Sequence, residues 1–228
     1  MGDGAGGVAG EARGVSGAAE PVEGAHVGEG HDVSDGVEPA VDLLVLAGGR
    51  AERLGGADKA ALVVGGRSLL DRVLDVELGG RVVVVGDTPV PDGVVRTVED
   101  PPGGGPVAGI AAGLLALDAL AAPHPPAWVA ICAVDQPGAA AALAALRTEL
   151  PRVGEFVEAL CHVDDTGHMQ WLLAIYRRHA LDAALERVGE ARHTSVRAVV
   201  ADLHWREVDA GREHLGDVDT WEDLRRWD

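Results

Sequence analysis

A glycine-rich segment from Leu46 to Lys59 carries the residue types that could hold a polyphosphate. It reads LAGGRAERLGGADK and directly follows a short apolar run. Glycine lets backbone N–H groups approach phosphate oxygens closely, because no side chain intervenes. Arg53 and Lys59 add positive charge that suits the same ligand. The contacts predicted in this segment are Leu46, Ala47, Gly48, Gly49, Arg53 and Lys59.

Lys59 is unusual because it is one of 19 basic residues and the other 18 are arginines. A lone ammonium in such a chain indicates a position that a planar guanidinium would not serve. The segment lacks the P-loop pattern GxxxxGK[ST], since Ala60 follows the lysine, and it also lacks the dinucleotide pattern GxGxxG. The alternative is a plain glycine-rich connection, against which Arg53 and Lys59 both argue.

Three aspartates are candidate ligands for a divalent metal ion. Asp135 directly follows a predicted buried strand, where a carboxylate is costly unless it is paired or binds metal. Mg²⁺ commonly takes one or two carboxylates together with phosphate oxygens. Asp217 and Asp219 stand two apart in an extended stretch, so they would point the same way and could complete the site. Asp219 could equally be the N-cap of a C-terminal helix with Glu222 three residues on, and the sequence leaves both open.

A second small-residue segment, Gly105–Gly109, predicts a helix opened by Pro106. It follows the acidic pair Glu99-Asp100. Asp100, Gly105, Pro106 and Gly109 are candidate ligand contacts. The alternative is an ordinary helix start with a capping acid.

Composition excludes several classes of function. A net charge of −18 and an aromatic content of 3% argue against binding DNA or RNA. The two cysteines have no zinc spacing and suit a buried position in a reducing cytoplasm. The nine histidines form no metal-binding pattern and are expected on the surface or in loops. There is no apolar stretch of about 20 residues, so no membrane span is expected.

Alternating strands and helices predict an α/β fold with three layers, in which helices cover both faces of a mostly parallel sheet. Residues 1–39 contain 11 glycines and eight acids without periodicity, which predicts a disordered acidic tail before a domain over residues 40–228. The predicted strands are 42–47, 81–85, 94–98, 127–134, 155–162, 169–176 and 203–208. The predicted helices are 67–77, 107–120, 139–150, 177–188, 194–201 and 220–227.

The pattern LAGGxxxRLG followed by Lys59 resembles the signature of small nucleotidyltransferases, most of all the MobA-type molybdenum cofactor guanylyltransferases. The resemblance covers about residues 41–228 and departs at Leu54, where the family usually has Met. It implies a nucleotide-diphospho-sugar transferase-like, Rossmann-like fold. It also implies Mg²⁺-dependent transfer of GMP from GTP to molybdopterin with release of pyrophosphate. Asp135 would then hold Mg²⁺, and Asp100 would contact the nucleotide.

The same resemblance assigns the remaining site residues. Asp87, where relatives read the base, could accept hydrogen bonds from the guanine edge. Gln170 lies in the strand that lines the acceptor pocket, and Arg197 ends a stretch that helps to receive the pterin phosphate. Such an enzyme would also make transient contacts with other proteins of molybdenum cofactor biosynthesis or with acceptor proteins.

Two other readings stay open. A cytidylyltransferase using CTP, or a transferase with another small phosphate acceptor, would share the motifs. A non-catalytic nucleotide-binding module is an alternative of another class, against which Lys59 and Asp135 argue because both chemical groups are present.

Overall fold

A seven-stranded sheet lies at the centre of the computed structural model, which describes Met1 and residues 38–48, 56–120, 122–164, 166–209 and 215–227. The strands are β1 (Val41–Leu46), β2 (Val63–Val64), β3 (Arg67–Ser68), β4 (Gly79–Val85), β5 (Val95–Thr97), β6 (Trp128–Ala133), β7 (Ala159–Val163), β8 (Met169–Arg177) and β9 (Trp205–Asp209). The helices are α1 (Leu69–Leu74), α2 (Pro106–Ala119), α3 (Ala139–Glu149), α4 (Arg178–Val188), α5 (Val196–Val200) and α6 (Trp221–Arg226).

The sheet has the strand order β5-β4-β1-β6-β8-β7-β9 and is mostly parallel, as predicted. β1 runs parallel to β4 and β6, β4 to β5, and β7 to β9. β8 is antiparallel to both of its neighbours. It follows β7 through a tight turn in which Asp164 N donates to His168 O at 3.0 Å, and such a turn reverses the chain.

The core lies in two layers, one on each face of the sheet. Val41, Leu43 and Val45 pack with residues of α1 and α3, whereas Leu44 and Leu46 pack with α2, α4 and α5. Every residue of β1 is buried, because helices cover both faces of this central strand. The predicted three-layer arrangement is therefore confirmed. Among the described helices, none is long and apolar enough to cross a bilayer.

The start of the helix predicted over residues 67–77 is wrong. Gly65 and Gly66, with φ of 56° and 79°, form a two-residue turn that pairs β2 with β3. Positive φ at both positions is the geometry of the tight hairpin turn that glycine favours, so the hairpin overrides the helical pattern. The helix begins only at Leu69, where the Ser68 hydroxyl accepts a hydrogen bond from Asp71 N.

His162 corrects the expectation that the histidines lie on the surface or in loops. It belongs to β7 and is 1% exposed. Its Nδ1 lies 3.1 Å from Val208 O, and its Nε2 lies 2.9 Å from Ala142 O. Two backbone carbonyls therefore satisfy the ring nitrogens, which is how a polar side chain becomes tolerable in a core.

The predicted acidic tail, residues 1–39, lies outside the described residues except for Met1, Glu38 and Pro39. Arg147 of α3 donates to Pro39 O at 3.1 Å and forms an ion pair with Glu38 at 3.4 Å. These two residues are thus attached to α3 immediately before β1 begins.

A buried ion pair connects β1, β4 and the end of α2. Asp42 is 2% exposed, and its Oδ1 accepts from Arg81 N at 2.8 Å and from Arg81 Nε at 3.1 Å. The same guanidinium donates to Leu117 O at 2.7 Å and to Leu120 O at 2.8 Å. Arg81 therefore gives a partner to the Leu120 carbonyl at the helix end and a second donor to the Leu117 carbonyl, which also accepts from Leu120 N at 3.1 Å.

We expect Asp42→Ala to lower the free energy of unfolding by about 3–5 kcal/mol, because it leaves Arg81 as an unpaired charge in the interior. Urea denaturation followed by circular dichroism measures this. Asp75→Ala is the matched control, since Asp75 pairs with Arg67 on the surface, where both side chains are about half exposed. A loss for Asp42→Ala no larger than that for Asp75→Ala would contradict the stabilising role of the pair.

Candidate active site

The carboxyl ends of β1 and β6 meet where the strand order changes direction. β4 and β5 extend the sheet to one side of β1, and the chain then crosses over to place β6 on the other side. Open α/β sheets bind ligands in the crevice at such a point. The predicted residues at these strand ends are Leu46, Ala47, Gly48 and Asp135, whereas Gly49 and Arg53 lie outside the described residues.

Asp58 sets the position of Lys59. Its Oδ1 accepts from Ala60 N at 3.0 Å and caps the single 3-10 turn Lys59–Ala61. Its Oδ2 accepts from the hydroxyl of the buried Thr88 at 2.9 Å, which attaches the turn to the end of β4. Asp58 is not among the predicted site residues, although an aspartate before a short helical turn is a common N-cap pattern.

Lys59 forms the centre of a charged cluster. Its Nζ lies 2.7 Å from Asp135 Oδ2 and 2.7 Å from Asp219 Oδ1. The side chains of Lys59 and Asp135 are 17% and 21% exposed, whereas that of Asp219 is 52% exposed. The structure thus brings together the lone lysine and two of the predicted metal ligands, which stand 76 and 160 positions away from it.

The lysine remains charged in this setting. Burial lowers the pKa of Lys59, but the hydrogen bonds and negative charges of Asp135 and Asp219 outweigh it and place the pKa above its usual value. The lysine side chain has a flexible stem, so its ammonium can also reach toward a more highly charged anion that enters the crevice.

The chain after β9 returns to the site and carries two acids. Val218 is fully buried, and its N–H donates to Asp135 O at 2.8 Å, which fixes this segment against the end of β6. Asp217 and Asp219 flank it. Asp217 is exposed as a residue, yet removal of water around its carboxyl group, helped by the charge of Asp135, raises its pKa. The nearby Gln136 side chain, which the sequence predictions do not include, lowers the pKa of Asp217 and so opposes this rise.

The N-cap alternative for Asp219 is wrong. Thr220 caps α6, and its hydroxyl accepts from Asp223 N at 3.2 Å. Asp223 in turn accepts from Thr220 N at 3.0 Å, which completes a reciprocal capping box. The cap therefore starts one residue later than Asp219 and Glu222 would place it, and the Asp219 carboxylate is left to pair with Lys59.

The acids suit a magnesium ion that is bound partly by the protein and partly by a nucleotide. They suit an ion bound by the protein alone less well. Among the described residues, no group of three or more His, Cys, Asp or Glu side chains is placed to hold an ion together. Asp135 fits the smaller requirement, because Mg²⁺ often uses one carboxylate together with phosphate oxygens and water. The role of Asp217 and Asp219 as metal ligands stays a prediction.

We expect Asp217→Asn to raise the melting temperature of the ligand-free protein. The raised pKa means that the ionised carboxyl group opposes folding at neutral pH, and an amide carries no such cost. The advantage of the variant should shrink as the pH falls through the raised pKa toward the ordinary value of 3.8, since the native carboxyl group then takes up a proton. Thermal unfolding of both proteins at a series of pH values from 7.5 downward measures the difference in melting temperature. A pH-independent difference would show that this ionisation is not its cause.

The second predicted segment borders the amino end of α2. Gly105 is the N-cap with φ of 90°, Pro106 is the first helical residue, and no side chain caps this end. Asp100 is exposed and does not cap the helix, so the capping-acid alternative is wrong. A Cβ at Gly109 would lie 3.3 Å from Leu46 Cδ2, so this glycine lets α2 approach β1.

A cavity of about 350 Å³ opens beside Asp135. Its lining residues are Ala133, Asp135, Gln136, Gln170, Trp171, Leu172, Val196 and Asp217. Gln170 therefore lies in the same cavity as the predicted metal ligand Asp135, and its contact with an acceptor stays a prediction. The α5 side of the cavity comes from Val196, whereas Arg197 is exposed and is not part of this lining. Asp87 is exposed at the end of β4 and pairs with Arg96 at 2.8 Å.

The two thiols are buried, as predicted, and do not take part in the site. Burial raises the pKa of Cys132 far above its usual range and that of Cys161 to about 12. Neither is a thiolate at neutral pH, and only the thiolate is a strong nucleophile.

Comparison with known proteins agrees with this geometry. The family described as the MobA-like NTP transferase domain matches residues 43–208. A probable molybdenum cofactor guanylyltransferase from Opitutus terrae is 34% identical over 170 residues, which are 72% of this chain and 80% of that protein. A molybdenum cofactor guanylyltransferase from Rhodopseudomonas palustris is 39% identical over 88 residues, and this match spans only 39% of that relative.

The fold has counterparts among solved structures. Molybdopterin-guanine dinucleotide biosynthesis protein A from Archaeoglobus fulgidus superposes with a TM-score of 0.58 at 22% identity. The superposition covers 82% of this chain and 96% of that one. The nucleotide-diphospho-sugar transferase-like architecture is thereby confirmed. From the family match and the Opitutus relative it follows that the chain belongs to the family of the MobA-like NTP transferase domain.

Proposed function

We propose that this protein is a Mg²⁺-dependent nucleotidyltransferase that moves GMP from GTP to the terminal phosphate of molybdopterin and releases pyrophosphate. The observation that carries the proposal is the contact of Lys59 with Asp135 and Asp219 at the crevice between β1 and β6. A cation and partly buried acids at this place suit a triphosphate with its metal ion. The names of the relatives support the choice of substrate.

The bond changes are those of an in-line displacement. An oxygen of the acceptor phosphate forms a bond to the α-phosphorus of GTP, and the bond from that phosphorus to the bridging oxygen of the β-phosphate breaks. The electron pair leaves with pyrophosphate. Bound Mg²⁺ would supply charge neutralisation on the phosphate oxygens, and Asp135 is the residue that would hold it.

Lys59 has two positions in this scheme. Without nucleotide, its ammonium neutralises Asp135 and Asp219. With nucleotide, we expect it to turn to the phosphate oxygens, where negative charge increases in the transition state. The acceptor phosphate is already an anion, so no side chain has to act as the nucleophile.

Substrate choice rests on two further places. Asp87 at the end of β4 would accept hydrogen bonds from N1–H and the amino group of guanine, after exchanging its ion pair with Arg96. The cavity lined by Gln170 and Trp171 would receive the phosphate end of the acceptor. CTP as the donor would leave the same displacement in place and change only the base contact.

Release of pyrophosphate tests the proposal. The purified chain would be incubated with Mg²⁺, molybdopterin and either GTP or CTP. Pyrophosphatase would convert the released pyrophosphate to inorganic phosphate, whose concentration would be measured. Release with GTP alone is the expected result, and Asp87→Asn should shift the ratio toward CTP. Release with CTP alone would identify a cytidylyltransferase. Nucleotide binding without release from either donor would contradict transfer to molybdopterin, and it would leave a transferase with another acceptor or a binding module.

A further inference from the structure

Two loops from different parts of the chain meet beside the amino end of α2. We name residues 101–105, between β5 and α2, the glycine loop, and residues 190–195, between α4 and α5, the clasp. The glycine loop contains Gly103, Gly104 and Gly105 and leads into the helix start whose Gly105, Pro106 and Gly109 are predicted nucleotide contacts.

The clasp binds the backbone of the glycine loop at two points. The Arg192 guanidinium donates to Pro101 O, and His193 N donates to Gly104 O at 2.7 Å. Both acceptors are main-chain carbonyls, so these bonds define the path of the loop whatever side chains it carries. The same bonds give both carbonyl oxygens a donor. Without a donor, a carbonyl oxygen that turned toward a phosphate would repel it.

The clasp has internal bonds that hold it in this shape. Glu190 Oε1 accepts from Arg192 N at 2.9 Å, and the Thr194 hydroxyl donates to Glu190 O at 2.6 Å. His193 has φ of 58°, in the left-handed region that few residues other than glycine, asparagine, aspartate and histidine adopt. Such a conformation persists only where its surroundings fix it, and here it directs the N–H of His193 at the glycine loop.

Gly104 shows how closely the two loops approach. A Cβ at this position would lie 2.9 Å from Arg192 Nη1 and 2.6 Å from the Cβ of Ala108. The guanidinium therefore occupies the space that any other residue at position 104 would need.

We propose that Arg192 and the backbone of His193 are positioning elements of the nucleotide site, which hold the glycine loop and the start of α2 in the conformation that binds the nucleotide. The inference rests on the proposed function. Arg192 lies in the stretch that, by resemblance, helps to receive the pterin phosphate. Its guanidinium, however, donates to Pro101 O, so we expect it to act on the nucleotide site through the glycine loop. The clasp is followed directly by Val196, which lines the cavity beside Asp135. The clasp therefore contacts the glycine loop and is also continuous with a residue of the predicted acceptor cavity.

Two variants of His193 separate positioning from direct ligand contact. His193→Gly and His193→Val both remove the imidazole and keep the N–H, but only valine disfavours the positive φ. We expect His193→Gly to bind Mg·GTP as the native chain does and His193→Val to bind it about tenfold more weakly. Equal affinities for the two variants would overturn the proposal, as would weaker binding by His193→Gly.

Arg192 is tested by nucleotide affinity and by amide exchange of the ligand-free chain. Arg192→Ala should weaken Mg·GTP binding about tenfold and accelerate exchange over residues 103–109, and Arg192→Lys should restore part of both. Arg187→Ala, at an exposed arginine of α4, is the control and should change neither. Weaker binding with unchanged exchange would make Arg192 a ligand of the nucleotide and overturn its positioning role. If the native chain binds neither GTP nor CTP, the proposed function fails, and the exchange of the ligand-free variants still decides whether the clasp holds the loop.

Discussion

Asp135→Asn is expected to lower kcat about 10³-fold at saturating GTP, Mg²⁺ and acceptor. Asp135 is the more enclosed of the two carboxylates that Lys59 contacts, and it stands at the end of β6 beside the cavity. An amide keeps the size of the side chain but loses the negative charge that attracts a metal ion. The remaining activity would come from binding and orientation alone, so KM should change much less than kcat.

Controls decide whether the loss belongs to this carboxylate. Asp118→Asn removes an exposed acid of α2 that pairs with Arg178 far along the chain, and it should leave kcat unchanged. Asp219→Asn should cost less than Asp135→Asn, because Asp219 is more exposed. If Asp135→Asn keeps a tenth or more of the activity while Asp217→Asn abolishes it, the principal metal ligand is Asp217.

Replacement of Lys59 has the second largest expected effect. Lys59→Met should lower kcat/KM about 10²–10³-fold, since it removes a charge that we place on the phosphates in the transition state. Lys59→Arg should lower kcat/KM by a similar factor. The planar guanidinium is larger than an ammonium, and the space between Asp135 and Asp219 accepts Nζ at 2.7 Å from each.

Binding of Mn²⁺ without nucleotide gives Lys59 a second readout. In the native chain the ammonium neutralises the same carboxylate oxygens that a metal ion would use. Lys59→Met should therefore bind Mn²⁺ several-fold more tightly than the native chain when nucleotide is absent, as measured by the signal of free Mn²⁺ in electron paramagnetic resonance. Unchanged Mn²⁺ affinity would mean that Lys59 does not compete with metal for these acids.

Site residues that directly follow a strand can be predicted from the sequence, because an apolar run followed by a charged residue is a local pattern. Asp135 and the glycine segment before Lys59 are of this kind, and the structure places Asp135 just after β6, at the end of a buried strand as predicted. The ion pairs of Lys59 were not accessible, since Asp135 and Asp219 are distant in sequence and only the sheet order brings them close.

Other differences arise where local patterns compete. Thr220 and Asp219 are both ordinary capping residues, and the reciprocal bond to Asp223 decided between them. At Gly65-Gly66 a hairpin turn prevailed over helical spacing. The burial of His162 depends on two carbonyls from distant elements, for which the sequence near it gives no signal.

The position of the isotope after turnover tests the central claim most directly. The native chain would be incubated with Mg²⁺, molybdopterin and GTP labelled with ³²P at either the α- or the γ-phosphate, and the products would be separated by chromatography. Nucleotidyl transfer predicts that α-label appears in the acceptor product and γ-label in pyrophosphate, and that Asp135→Asn forms both products about 10³-fold more slowly. Appearance of γ-label in the acceptor, or in inorganic phosphate with the α-label remaining in GDP, would contradict attack at the α-phosphorus and with it the proposed function.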